Sequence, residues 1–135
     1  MKNIRIYKSK IIREQFPDSD LQALITDFKR YKSGQSLPDL FGRDVLYDHS
    51  NTPPIIKTEE VRHLHLATPE TPWKSQKAVQ FSKTSDTHLV YCQAGSDPNS
   101  YLLIAVLSPD AHEQAKQKQL MITMGMMAET FRNRF

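Results

Sequence analysis

Three runs of residues, 61–67, 87–93 and 101–107, constrain the fold of this chain more than any other part of it. Each is rich in branched and aromatic residues and has the length of a strand. In the first run Leu64 and Leu66 fall on one face, and His63 and His65 on the other, because side chains alternate along a strand. Such a strand is half core and half candidate active site. The chain has 5 histidines, and all except His49 lie in or just after these runs. The second and third runs are joined by Ala94-Gly95-Ser96-Asp97-Pro98-Asn99-Ser100. That composition is a turn signal, so the two should form an antiparallel hairpin.

The remaining elements follow from periodicity. Ile4 and Ile6 alternate with Arg5 and Tyr7, which predicts a strand over residues 3–8. Leu21, Leu24, Ile25, Phe28 and Tyr31 recur at helical spacing over residues 19–33. Asp18 or Ser19 is the expected N-cap, and Gly34 the stop. Residues 35–60 contain Pro38, Pro53 and Pro54, and read as mostly irregular with a short turn of helix near 39–45. Residues 68–78, with Pro69, Pro72 and Trp73, form a second long loop, and loops of this length often carry function. Asp110 and Glu113 suggest a capped helix start after Pro109. Leu120, Met124, Met127, Ala128 and Phe131 then form one apolar helical face, read as packing rather than as a cofactor site. The sum is a single α+β domain over residues 1–135, a small antiparallel sheet backed by helices.

Composition narrows the class. The longest apolar run, residues 102–107, is far too short to cross a bilayer. The first residues lack an apolar segment of the signal-peptide kind, and the single cysteine, Cys92, excludes an intrachain disulfide. A cytoplasmic protein without membrane contact is the expectation. The formal net charge is only +3, but the charge is unevenly spread. Lys2, Arg5, Lys8, Lys10 and Arg13 crowd the first strand region, and Lys74, Lys77 and Lys83 lie in a stretch without acids. Both regions suit a phosphate backbone, and both equally suit a solvated rim.

The His63-x-His65 pair is the sharpest chemical feature. Catalytic zinc usually takes three protein ligands, and no neighbouring carboxylate or cysteine completes a set, so neither metal nor cofactor is expected. Acid–base work fits better, since histidine titrates near neutrality. Antiparallel pairing could bring His112, just past the last strand, toward the same face. His65 and His112 form the candidate base–acid pair. Phe81 and Tyr91 could stack on bases or equally be core aromatics. His88 and His49 gain no role, and no phosphate loop or nucleophile motif is present.

Several stretches resemble a known family. They are Leu37-Pro38-Asp39-Leu40-Phe41-Gly42-Arg43-Asp44, His63-Leu64-His65-Leu66-Ala67, His88-Leu89-Val90-Tyr91-Cys92-Gln93, Leu102-Leu103-Ile104-Ala105 and the final Met127-Ala128-Glu129-Thr130-Phe131-Arg132-Asn133-Arg134-Phe135. In this order they resemble the YafO toxins of bacterial type II toxin–antitoxin systems, over nearly the whole chain. The resemblance implies a ribosome-dependent mRNA interferase with the fold of the wider RelE/YoeB/YafQ group. It implies a cognate antitoxin, and the ribosomal A site with its mRNA, as partners. It implies no DNA contact by the chain alone, although a complex with the antitoxin could reach DNA. In that group a base removes the 2′-hydroxyl proton, the 2′-oxygen attacks phosphorus, and an acid and cations assist departure of the 5′-oxygen. The matching positions hold His63, His65 and His112. Residues 102–109 contain no arginine, so charge stabilisation falls first to Lys83, and otherwise to Arg43, Arg62 or Lys77. The expected RNA-binding set is Arg43, Arg62, Lys74, Lys77, Phe81 and Tyr91.

Two other functions remain open on the sequence: a translation inhibitor that occupies the ribosome without cutting, and a topoisomerase poison on the same fold. Three histidines favour cutting, because binding alone needs no titrating groups.

Overall fold

In chain order the structure, a computed structural model that describes residues 2–135, runs as follows. Strand β1 (Arg5–Lys8) is followed by helices α1 (Lys10–Gln15) and α2 (Asp18–Lys32), then β2 (Phe41–Leu46), α3 (Pro54–Thr58) and β3 (Arg62–Leu66). A 3-10 turn (Gln80–Ser82) precedes β4 (His88–Gln93) and β5 (Ser100–Leu107), and α4 (Ala111–Gln114) and α5 (Lys118–Arg134) close the chain. The strands form one sheet in the order β1-β5-β4-β3-β2. Strands β2 to β5 pair antiparallel, as expected, but β1 lies parallel to β5. The sheet is therefore mixed rather than antiparallel. A strand at the start of the chain can reach that edge because the long crossover of α1, α2 and the intervening strands separates it from β5.

Helices cover both faces, which makes β5 buried at all 8 positions. On one face Ile12, Leu21, Ile25 and Phe28 of α1 and α2 meet Leu64, Leu89, Tyr91, Leu103 and Val106. On the other, Met121, Met124, Ala128 and Phe131 of α5 meet Val90, Cys92, Leu102 and Ile104. A register shift between Val90 and Tyr91 against β5 lets Ile104 and Ala105 both face α5. The methionine stripe is core, and Cys92 is a buried free thiol.

Three expectations are corrected. Residues 39–45 hold most of β2 instead of a helical turn; a bulge between Phe41 and Asp44 breaks the alternation that would have marked a strand. The α2 N-cap is Pro17, with no side-chain cap bond. Asp110 adopts a left-handed conformation (φ 60°) and does not cap α4. Asp86 does so from another loop: its carbonyl accepts the Ala111 N–H at 3.0 Å, and its Oδ1 accepts the His112 N–H at 2.9 Å.

The α2 side of the sheet carries one buried ionic network. Tyr31 and Tyr91 donate their hydroxyls to Asp44 Oδ2 at 2.7 and 2.6 Å, Arg62 Nε donates to Oδ1 at 3.1 Å, and Lys32 Nζ lies 3.5 Å from Oδ2. Burial alone would raise the Asp44 pKa, but Lys32, the two tyrosine hydroxyls and Arg62 outweigh it and hold the carboxyl below its usual range. Burial lowers the Lys32 pKa despite Asp44. The network reaches the long loop, since Gln80 Nε2 donates to Tyr31 Oη and to the Gly42 carbonyl. Gly42 has no room for a side chain there: a Cβ would run into the Lys83 carbonyl and Trp73.

Asp44→Ala removes the only anion of this network among the described residues and leaves Lys32 and Arg62 unpaired. It should cost about 3 kcal/mol in urea unfolding; a loss below about 1 kcal/mol would contradict this account of how the loop and β2 are held.

Candidate functional site

The histidines gather where β3, β4 and α4 come together. The register pairs His65 of β3 directly with His88 of β4, and His88 with Leu107 of β5. Just beyond Leu107 the chain turns into α4, which carries His112. Ring centroids lie 4.1 Å apart for His65 and His88, 5.0 Å for His63 and His88, and 5.0 Å for His88 and His112. The structure thus brings together His63, His65 and His112, three residues expected from the sequence. It adds His88, which had no role in the sequence-based expectation. Pairing Leu64 with Leu89 would have set His88 opposite His65; that register was the available signal.

Ser85 and Asp86, also missed, fix the proton positions. The Ser85 N–H donates to His65 Nδ1 at 2.8 Å, so the His65 proton sits on Nε2. His88 Nε2–H donates to the Ser85 carbonyl at 2.9 Å, which leaves His88 Nδ1 with a lone pair. His112 Nδ1–H donates to Asp86 Oδ1 at 2.7 Å, so that in the neutral ring Nε2 carries the lone pair. The Ser85 hydroxyl braces the segment by donating to the Thr87 carbonyl at 2.9 Å. Nδ1 of His63 and of His88 are buried without a hydrogen-bond partner. The His63 ring stacks on Tyr47 with centroids 4.1 Å apart.

Burial, followed by the neighbouring His88, pushes the His63 pKa down to about 4. The same two causes, with His63 added, bring His65 to about 3. Burial also lowers His88 against the opposing hydrogen bond to Ser85. These three imidazoles are therefore neutral at neutral pH. His112 is the exposed member, its side chain 65% accessible and its partner Asp86 48%.

Two openings lie near the histidines, one of them walled by Ser85 and Asp86. A cleft of about 240 Å³ is lined by Tyr47, Asp48, His49, His63, His88 and His112. A groove of about 530 Å³ lies beyond, lined by Trp73, Lys74, Lys83, Ser85, Asp86 and Pro109 among others. Lys83 is buried on that groove's wall, and its carbonyl accepts the Arg43 N–H. Arg43 lies over the exposed Phe81 ring, 4.0 Å from centroid to guanidinium carbon, and its Nε donates to the Phe81 carbonyl. Lys74 and Lys77 are exposed.

Two expected RNA contacts are corrected. Tyr91 is fully buried on the α2 side with its hydroxyl on Asp44, so it cannot stack on a base. Arg62 points to that same side, paired with Asp44 through Nε and with the Asp44 carbonyl through Nη2. Alternation along β3 separates Arg62 from His63, and Asp44 holds Arg62 and Tyr91 in the opposite layer.

Comparison with known proteins bears on the chain as a whole. The family described as "Toxin YafO, type II toxin-antitoxin system" matches residues 29–133. The mRNA interferase toxin YafO of Escherichia coli (strain K12) is 49% identical over 133 residues, covering 98% of this chain and 100% of that protein. No solved structure matches the chain.

Stability should carry the mark of the neutral imidazoles. A histidine whose folded pKa is depressed takes up its proton first in the unfolded chain. Its stabilising effect is complete above about pH 6.5 and is lost as pH falls toward about 4 for His63 and about 3 for His65. Each contributes a slope of up to about 1.4 kcal/mol per pH unit. Carboxylates titrate mainly below about pH 4.5, so melting at about pH 5 against about pH 7 isolates the histidines. The midpoint should drop at the lower pH, and His65→Gln should flatten the dependence. An unchanged midpoint in the wild-type protein would contradict the neutral cluster.

Proposed function

Because the chain belongs to the YafO toxin family of type II toxin–antitoxin systems, we propose that it is an endoribonuclease toxin that cuts translated mRNA on the ribosome. The reading takes residues 1–135 as one toxin domain of the RelE-like kind, acting in the cytoplasm and held inactive by a cognate antitoxin. Among the described residues no helix is long and apolar enough to cross a membrane. The observation that carries the chemistry is the clamp of Ser85 and Asp86 on His65, His88 and His112.

In this proposal His112 Nε2 takes the 2′-hydroxyl proton. Asp86 keeps the ring in the needed tautomer and stabilises the imidazolium that forms, as a carboxylate does in a hydrolytic triad. The 2′-oxygen bonds to phosphorus, the bond to the 5′-oxygen breaks, and that oxygen takes a proton from solvent. His65 offers its Nε2–H to a phosphoryl oxygen as a neutral donor, in place of a member of the base–acid pair expected from the sequence. His63 and His88 line the cleft as neutral contacts for the sugar. Lys83 supplies positive charge from the groove wall. Phe81, held by Arg43, offers a stacking surface, and Lys74 and Lys77 meet phosphates. A net charge of only +3 gives weak hold on free RNA, so the ribosome supplies positioning.

Single-turnover cleavage on programmed ribosomes tests the assignment. His112→Gln should slow it about 10²-fold, and Asp86→Asn about tenfold, with the fold retained by circular dichroism. Because His65 stays neutral, the rate should rise with pH to a plateau and lack the falling limb of a histidine acid. Wild-type rates in both variants would refute these two roles. Discrete mRNA breaks on expression, with growth rescued by the neighbouring antitoxin, would separate cutting from simple ribosome blockade; rapid cutting of naked RNA would refute ribosome dependence.

A further inference from the structure

The imidazole cluster has a second capacity that acid–base chemistry does not use. Ring nitrogens of His63, His65 and His88 all lie within 4.8 Å of one another. Two nitrogens there, Nδ1 of His63 and of His88, are buried and without a partner. An unsatisfied buried polar atom is costly, and two side by side call for an occupant that accepts lone pairs. His88 is arranged as a metal ligand commonly is: its far nitrogen donates to a backbone carbonyl, here that of Ser85, and the near nitrogen is bare. His112 has the same arrangement with a carboxylate, since Asp86 holds Nδ1–H and frees Nε2. His65 differs, because the Ser85 N–H occupies its Nδ1 and leaves a proton on Nε2. The cleft that opens onto His63, His88 and His112 gives access from solvent.

We propose that His63, His88 and His112 bind a borderline divalent transition metal of the zinc type, and that the bound ion blocks RNA cleavage. Zinc takes imidazole nitrogen at about 2.0–2.1 Å, so the rings must draw closer together than they stand here. His112 is the exposed member, and water fills the fourth position. Burial keeps His63 and His88 neutral, the form that ligates. Binding itself is independent of the function proposed above. Inhibition rests on it, because the ion would occupy the His112 lone pair that takes the 2′-hydroxyl proton.

The test titrates the purified full chain with Zn²⁺ by calorimetry, and with Co²⁺ by visible absorption, without RNA. One ion per chain and the intense bands of tetrahedral Co²⁺ are expected. His88→Gln and His112→Gln should each weaken binding more than about tenfold, and Asp86→Asn should weaken it through His112. His49→Gln, in the same cleft, should leave it unchanged. Circular dichroism checks the fold of each variant, and the wild-type titration stands without them. In the cleavage assay saturating Zn²⁺ should stop cutting, and a chelator should restore it. No binding by the wild-type chain overturns the site. Loss of binding in His65→Gln with none in His112→Gln overturns the choice of third ligand. Binding that leaves cleavage unaffected overturns the block. Binding by a chain that never cuts RNA supports the site and removes the proposed function instead.

Discussion

Two consecutive residues hold three of the clustered imidazoles by hydrogen bonds. Ser85 gives its N–H to His65 and takes a proton bond from His88, while Asp86 holds His112 by ring and backbone. A neutral imidazole has one donor and one acceptor nitrogen, so each contact decides which nitrogen faces the cleft. Without the segment, three rings 4.1 to 6.3 Å apart would be free to exchange roles. With it, His65 keeps a proton on Nε2, while His88 and the neutral form of His112 carry lone pairs. The same segment caps α4, which ties the placement of His112 to the start of the C-terminal helices.

The segment is held in place from the opposite side of the sheet. Arg43 donates its N–H to the Lys83 carbonyl at 2.8 Å, and Gln80 links the loop to Tyr31 and Gly42. Tyr31 in turn ends on Asp44, whose partners Lys32, Arg62 and Tyr91 fix α2, β3 and β4. The loop also covers the outer edge of β2, which would otherwise expose unpaired backbone groups. A buried ionic network is a costly way to stabilise a fold. Here its position suggests that it sets strand and loop register, and so the geometry of the histidines in the layer beyond.

Much of this was legible in the sequence. The 3.6-residue spacing of Leu21, Ile25 and Phe28 reflects one-sided burial and held, and Leu64 and Leu66 do lie on the α2 side, but His65 on the other face is buried as well. What failed did so for local physical reasons. The bulge after Phe41 erased the strand pattern of β2. Tyr91 read equally well as core or as an RNA contact, and only the buried Asp44 decides between them. The parallel pairing of β1 is a long-range event with no local signature. Ser85 and Asp86 act largely through backbone groups and through partners 20 and 26 residues away, so their residue types alone say little. His88 was within reach of inference, but only through the register of two strands.

The central claim is the set of tautomers, and long-range ¹H–¹⁵N NMR of the histidine rings measures it directly. At about pH 7 the clamp predicts neutral rings protonated at Nε2 for His65 and His88, and a proton at Nδ1 of His112 facing Asp86. Asp86→Asn should shift the His112 signals and leave those of His65 in place. Charged rings at His65 and His88, or a proton on Nδ1 of His65, would contradict the clamp and the chemistry built on it.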